Sequence, residues 1–176
     1  MNPTNQSFTL AARVLHWTMA VLILAMLFIG VGMVATVSAK QPVLLAIHKP
    51  LGIAILVLAV ARLVVRLRNP PPPLPPDVPR LQRIAARLSH WLLYALMIAM
   101  PLIGWAMLSV GGYPVMLGEN LRLPAILPEN ALVFAWLRTA HGALAYLLFF
   151  TFLGHMGAAL YHALIRRDGV LRSMIR

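Results

Sequence analysis

Residues 141–155 read HGALAYLLFFTFLGH, an uninterrupted run of apolar and small residues with a histidine at each end. A run of this kind, without a helix-breaking proline, is typical of the middle of a transmembrane helix. At about 100° per residue, the interval between His141 and His155 amounts to about 1400°, which is about 40° short of four full turns. Both rings are therefore expected on one face of one helix, about 21 Å apart along its axis.

Apolar residues dominate the whole chain as they dominate this run. They make up 61% of the 176 residues, and charged residues make up 11%, whereas soluble proteins have roughly 45–50% and about 25%. These proportions argue against a water-soluble fold. The chain is long enough for four membrane spans of about 20 to 25 residues with short connections, so a separate soluble catalytic domain is not expected.

Proline, glycine and charged residues divide the chain into four apolar segments. Lys40, Gln41 and Pro42 are expected to close the first segment, and a proline-rich linker over 69–79 separates the second from the third. Residues 111–130 are expected to form a loop. We therefore predict an all-α fold, an integral membrane four-helix bundle formed by the whole chain. The expected helices are about 10–37, 44–67, 81–110 and 132–165.

The positive charges indicate how this bundle is oriented. Of the 15 Lys and Arg residues, all but four lie in the N-terminal segment, the second connection and the C-terminal tail. The exceptions are Lys40, Lys49, Arg122 and Arg138. Because cytoplasmic loops carry the excess of Lys and Arg, both termini are expected in the cytoplasm. Charges placed between apolar segments are topology signals, so the net charge of +11 does not indicate a nucleic-acid partner.

Histidines in or beside the apolar segments are the candidate functional residues, because ionisable side chains at membrane depth are costly. The six are His16, His48, His90, His141, His155 and His162. Their expected depths pair His48 with His141 near the outer face. They also pair His16 with His155 near the cytoplasmic face.

A neutral imidazole on each side of an iron ion gives the closed, six-coordinate arrangement suited to electron transfer. Zinc fits less well, because each pair offers two ligands where zinc takes four. The absence of cysteine excludes covalent attachment of c-type haem and iron–sulfur clusters. We therefore predict two non-covalent haems b, with the four paired histidines as axial ligands of the iron.

Some residues near the cytoplasmic pair have alternative roles. His90 is deep enough to replace either member of the pair, or to hydrogen-bond a haem propionate or a quinone, and His162 lies close to the same stripe as His155. Arg62, Arg66 and Arg87 are candidates for pairing with propionates, although positive-inside anchoring is favoured over that role.

Four pieces of the sequence resemble the bacterial cytochrome b561 proteins, which are related to the b-type membrane subunits of formate dehydrogenase and nickel–iron hydrogenase. They are VLHW around His16, IHKPLGIAILVLAVARLVVRLR around His48, LSHWLLYALMIAMPLIGW around His90, and residues 141–155. The resemblance covers all four segments. It implies a four-helix bundle with two haems b, ligated in the two pairs given above.

The resemblance also implies a place in the bacterial inner membrane and exchange of electrons with ubiquinone and ubiquinol. Some members of the family oxidise superoxide and pass its electron to ubiquinone. An alternative is a haem b anchor subunit that passes electrons between a partner redox enzyme and the quinone pool. A transporter with histidine proton relays is a weaker alternative, because the spans carry no carboxylates.

Overall fold

This computed structural model describes residues 7–35, 40–118 and 120–176. Within these ranges the chain forms four long helices: α1 (Leu10–Ala35), α2 (Lys40–Arg68), α3 (Arg80–Val110) and α4 (Ala131–Leu160). A π-helical turn, Tyr161–Arg166, continues α4, and a short helix, α5 (Arg172–Ile175), ends the chain. Two strands, β1 (Val115–Leu117) and β2 (Leu121–Leu123), lie between α3 and α4.

The four long helices are long and apolar enough to cross a bilayer. Their most apolar stretches have mean hydropathies of 2.5, 2.3, 1.9 and 1.7 in chain order. Large apolar side chains on their outer faces are exposed, as Phe28 (70%) and Phe150 (64%) illustrate. An apolar surface of this kind belongs in lipid, where a helix satisfies its own backbone hydrogen bonds. The prediction of an all-α membrane bundle is confirmed.

The first connection was wrongly assigned, because Lys40 and Gln41 are the first residues of α2. Pro42 does not prevent this early start, since the first four N–H groups of a helix have no partner within it. Pro50 also lies inside α2. Residues 36 and 37, the expected end of the first helix, lie outside the described residues.

The third connection contains an antiparallel hairpin where a loop was expected. Val115 pairs with Leu123, and Leu117 pairs with Leu121. Strands of three residues are too short to show a period of two in the sequence, which is why the pattern gave no signal. We call this side of the bundle the hairpin end. The opposite side, where α1 begins and α4 ends, is the arginine-rich end.

The helices pack in chain order, and α4 stands apart from two of them. Close backbone packing joins α1 to α2, α2 to α3 and α3 to α4. The main buried cluster comes from the first three helices, and α4 contributes nothing to it. Its members are Met19, Ile23, Ile55, Ala59, Tyr94 and Met97. Among the described residues, neither α1 nor α2 packs closely against α4.

The proline-rich linker is held against the arginine-rich end by backbone and charge contacts. Arg83 donates to the carbonyl oxygens of Val78 (2.8 Å) and Pro76 (2.7 Å), and Val78 is buried with 2% exposure. Asp77 forms an ion pair with Arg166 at the end of the π-helical turn. These contacts fix the linker between α2 and α3 against the end of α4.

The C-terminal tail folds back onto the start of α1. The indole of Trp17 donates to the carbonyl oxygen of Met174 (3.1 Å), and Phe8 N donates to that of Ser173 (3.1 Å). Asp168 anchors the base of the tail through the His162 ring and the Arg166 guanidinium. Burial opposes ionisation of Asp168, but its hydrogen bond with His162 and the other contacts outweigh burial, so the pKa of Asp168 lies below its ordinary value.

A substitution at Ala59 tests the packing of the first three helices. It is fully buried (0% exposed) in the cluster of the first three helices, so Ala59→Leu should overpack that cluster and cost about 1–3 kcal/mol of stability. Thermal unfolding in detergent would measure the loss. Ala54→Leu, at an exposed position of the same helix, should leave the unfolding temperature nearly unchanged. Equal effects of the two substitutions would contradict the packing described here.

Protonation or substitution of Asp168 tests the docking of the C-terminal tail. A carboxyl group with a lowered pKa stabilises the folded state above its ordinary pKa of 3.8 and loses that contribution as the pH falls below it. A nitroxide attached through Arg176→Cys should therefore be immobile at neutral pH and mobile in acid.

Asp168→Asn should free the nitroxide at neutral pH by roughly fivefold in population, the factor given by about 1 kcal/mol for one lost hydrogen bond. Glu129→Gln removes the same charge outside this network and is the control. A label that stays immobile in Asp168→Asn would show that this anchor does not hold the tail. Electron paramagnetic resonance spectra report both states.

Candidate haem-binding histidine pairs

His48 of α2 and His141 of α4 face each other near the hairpin end. Their ring centres are 6.2 Å apart, with 66° between the ring planes. The Nδ1 atoms of both rings are buried without a hydrogen-bond partner in the described part of the chain. Buried polar atoms are nearly always bonded, so unpartnered Nδ1 atoms on two facing rings point to a ligand between or beside them.

Local sequence positions the His141 ring. Asn130 caps α4 by accepting a hydrogen bond from Val133 N at 3.0 Å, which sets where the helix begins. Gly104 of α3 lies against the ring, because a Cβ at this position would be 3.3 Å from His141 Cε1. The absence of a side chain at Gly104 therefore lets the imidazole sit close to the α3 backbone.

His16 of α1 and His155 of α4 face each other near the arginine-rich end. Their ring centres are also 6.2 Å apart, with 77° between the ring planes. Trp17, which the tail holds through Met174, packs against His16 at 5.2 Å. His90 of α3 packs against His155 at 5.2 Å. We call His16, His90 and His155 the three-histidine cluster.

The ring separations fit a metal ion between each pair. Two imidazoles that bind one first-row metal ion from opposite sides, each at about 2.0–2.1 Å through a ring nitrogen, have centres roughly 6 to 6.5 Å apart. Both pairs show 6.2 Å. Within the described ranges, no group of three or more His, Asp or Glu side chains converges as a metal site. The donor set thus matches an iron that takes its other ligands from a macrocycle rather than a tetrahedral zinc.

The surface of α4 is open beside its two histidines. The helices that supply the facing histidines, α1 and α2, do not pack closely against α4 within the described residues. A Cβ built on Gly142, Gly154 or Gly157 would meet no atom within 4 Å. Gly52 differs, because a Cβ there would touch Met26 Cε at 3.8 Å. A flat group could therefore approach the backbone of α4 at these three exposed glycines.

The weaker candidates from the sequence fall into two groups. Arg62 and Arg66 lie beside the three-histidine cluster, where Arg62 Nε donates to the hydroxyl of Tyr94 at 3.0 Å. His162 binds Asp168 at the base of the tail, and Arg87 is exposed on α3. The structure thus brings Arg62 and Arg66 toward the cluster, whereas His162 and Arg87 face other surroundings.

Two aromatic residues of the site were missed from the sequence. Trp91 and Tyr94 follow His90 by one and four positions on α3, and both lie against the arginines of α2. The spacing from His90 to Tyr94 places the two on one helix face. That spacing was the available signal, but it does not say which neighbouring helix the face meets.

Comparisons with known proteins identify the family of the chain. The family described as prokaryotic cytochrome b561 matches residues 7–176. A probable superoxide oxidase CybB from Yersinia pestis is 35% identical over 77% of this chain and 76% of its own length. Cytochrome b561 homolog 1 and homolog 2 from Escherichia coli are 34% and 30% identical. The first covers 73% of this chain and 72% of its own length, and the second 98% and 93%.

These matches confirm the resemblance drawn from the four histidine-bearing pieces of sequence. They extend over nearly the whole chain, including all four membrane-spanning helices. The chain belongs to the prokaryotic cytochrome b561 family and is a bacterial membrane protein that transfers electrons through haem b.

Proposed function

We propose that the chain carries electrons between the two faces of the bacterial inner membrane through two haems b, to or from ubiquinone. The observation that carries this proposal is the repeated ring separation of 6.2 Å in two histidine pairs. The pairs share α4, whose two histidines are about 21 Å apart along the helix at a rise of 1.5 Å per residue. In this proposal the arginine-rich end lies in the cytoplasm.

The four paired histidines would hold the haems. His48 and His141 would hold one haem iron, and His16 and His155 would hold the other. Haem b supplies a one-electron ferric and ferrous couple when bound. With both axial positions filled by protein, the iron has no open position for oxygen.

The rest of the bundle supports electron transfer by excluding water and holding the rings still. Apolar side chains surround α4 on its exposed faces, which leaves the haem sites in a medium of low polarity. Gly104 and Trp17 fix the positions of His141 and His16. Rings held in this way need little rearrangement when the iron changes charge.

We further propose superoxide as an electron donor at the hairpin end. The support is the similarity to the probable superoxide oxidase of Yersinia pestis and the charge of this end. This end has more basic than acidic residues in the sequence, which leaves a formal excess of positive charge. The basic residues are Lys40, Lys49, Arg122 and Arg138, and the acidic residues are two glutamates. A positive surface raises the local concentration of an anion. Two superoxide ions would each lose one electron and become dioxygen, and ubiquinone would take both electrons with two protons to become ubiquinol.

Substitution of the axial histidines tests the haem sites. His16→Ala, His48→Ala, His141→Ala and His155→Ala should each reduce the haem content from two per chain to about one, because one axial position is lost. Pyridine haemochrome spectra of the purified proteins measure the content. His162→Ala removes a histidine that binds Asp168 and should retain both haems. Full haem content in a variant of either pair would contradict that pair.

Rapid mixing with superoxide tests the donor. The oxidised protein should be reduced within the mixing experiment, and Arg138→Gln at the hairpin end should slow the reduction several-fold at low salt, because electrostatic steering is lost. Arg80→Gln removes an exposed charge at the other end and should leave the rate unchanged. Haems that stay oxidised with superoxide but accept electrons from a co-purified enzyme would favour the anchor-subunit alternative.

A further inference from the structure

Two arginines of α2 contact the same tyrosine of α3. Arg62 Nε donates to the Tyr94 hydroxyl at 3.0 Å, and the Arg66 guanidinium carbon lies 5.5 Å from the centre of the Tyr94 ring. Arg66 also lies 5.9 Å from the ring centre of Trp91. Tyr94 is 4% exposed. A buried phenol with two guanidinium groups on it fixes both cations at one place in the helix interface.

Neither guanidinium has a carboxylate partner in the described part of the chain. Asp77 and Asp168 both pair with Arg166, and Glu129 lies in the connection at the hairpin end. Like charges four residues apart on a helix repel each other. Partial burial adds a desolvation cost. An anionic group from outside the chain would relieve both effects.

The position of these arginines indicates where that anion would lie. Tyr94 is one helical turn beyond His90, and His90 packs against His155 at 5.2 Å. An anion bound by the two arginines would thus lie beside the site proposed for the haem of His16 and His155.

We propose that Arg62 and Arg66 bind the propionate carboxylates of the haem held by His16 and His155, and that Tyr94 is a positioning residue for Arg62. This inference rests on the proposed haem site. Haem b carries two propionates, and guanidinium groups bind carboxylates through strong charge-assisted hydrogen bonds. Arg62, Arg66 and Arg87 were the propionate-binding candidates from the sequence. The proposal retains Arg62 and Arg66 and excludes Arg87.

A consequence for the reduction potential follows from the charges. Ferric haem carries one more positive charge than ferrous haem, so nearby cations favour the reduced form. Removing the charge of Arg62 should lower the potential of one haem and leave the other nearly unchanged, because the second site lies about 21 Å away along α4.

Optical redox titration of the purified protein tests this consequence. At the potential that half-reduces the wild-type haem, Arg62→Gln and Arg66→Gln should each lower the ratio of reduced to oxidised haem about tenfold, equal to about 59 mV for a one-electron couple. Arg62→Lys keeps the charge and should recover most of the shift. Arg68→Gln, an exposed charge on the same helix, should leave both potentials unchanged.

Tyr94→Phe tests the positioning role. The variant keeps the ring but removes the oxygen that accepts from Arg62, so it should shift the same haem in the same direction by a smaller amount. In the Arg62→Gln background it should add nothing further, because its effect passes through Arg62. Tyr146→Phe, at an exposed position of α4 (68%), is the matched control. Additive shifts in the double variant would overturn the positioning role.

The anion has one rival source, a lipid phosphate. Resonance Raman spectra of the propionate bending vibrations should change in Arg62→Gln and Arg66→Gln if the propionates are the partner. The shifts in potential should also persist in phospholipid-free dodecyl maltoside. Shifts that appear only with phospholipid, or unchanged potentials and vibrations in both variants, would overturn the proposal. Loss of a haem in His16→Ala together with such a result would leave the haem site itself standing.

Discussion

Hydrocarbon offers no hydrogen-bond partner to a backbone, and this constraint shapes every part of the chain that crosses the membrane. Each spanning segment must satisfy its own N–H and C=O groups, so the described spans are all helical. The two strands are confined to the third connection, beyond the ends of α3 and α4. Polar chemistry inside the bundle is consequently left to side chains, and histidine and arginine supply it.

The loose packing of α4 against α1 and α2 is the second organising feature. The buried cluster uses α1, α2 and α3, while α4 is attached through α3. A bundle without a cofactor would gain by closing α4 against α1 and α2, because membrane helices associate through close packing. Histidines face α4 from both of those helices instead. The space beside α4 is thus explained by what the histidines would hold.

The sequence predicted the helices because they depend on periodicity along one chain, and it predicted which histidines face each other because their depths in the membrane could be matched. A 14-residue interval on one helix fixes the faces of His141 and His155 whatever the neighbours do. The contact of Arg62 with Tyr94 has no such signal, since it depends on the packing of α2 against α3. The start of α2 was misjudged for a different reason: a proline in the first turn of a helix looks the same in sequence as one that ends a helix.

The sequence has four acidic residues and 15 Lys and Arg residues, so most of the basic side chains have no carboxylate partner available within the chain. At the arginine-rich end, Asp77 and Asp168 are both taken up by Arg166, and Asp168 also binds His162. These ion pairs hold the linker and the tail in place, but they leave the deeper guanidinium groups without a carboxylate. An exposed cation can be solvated by water and neutralised by salt anions or lipid phosphate. Arg62 is partly buried and hydrogen-bonded to Tyr94, which is why we propose an anionic group of the cofactor, rather than a protein carboxylate, as its partner.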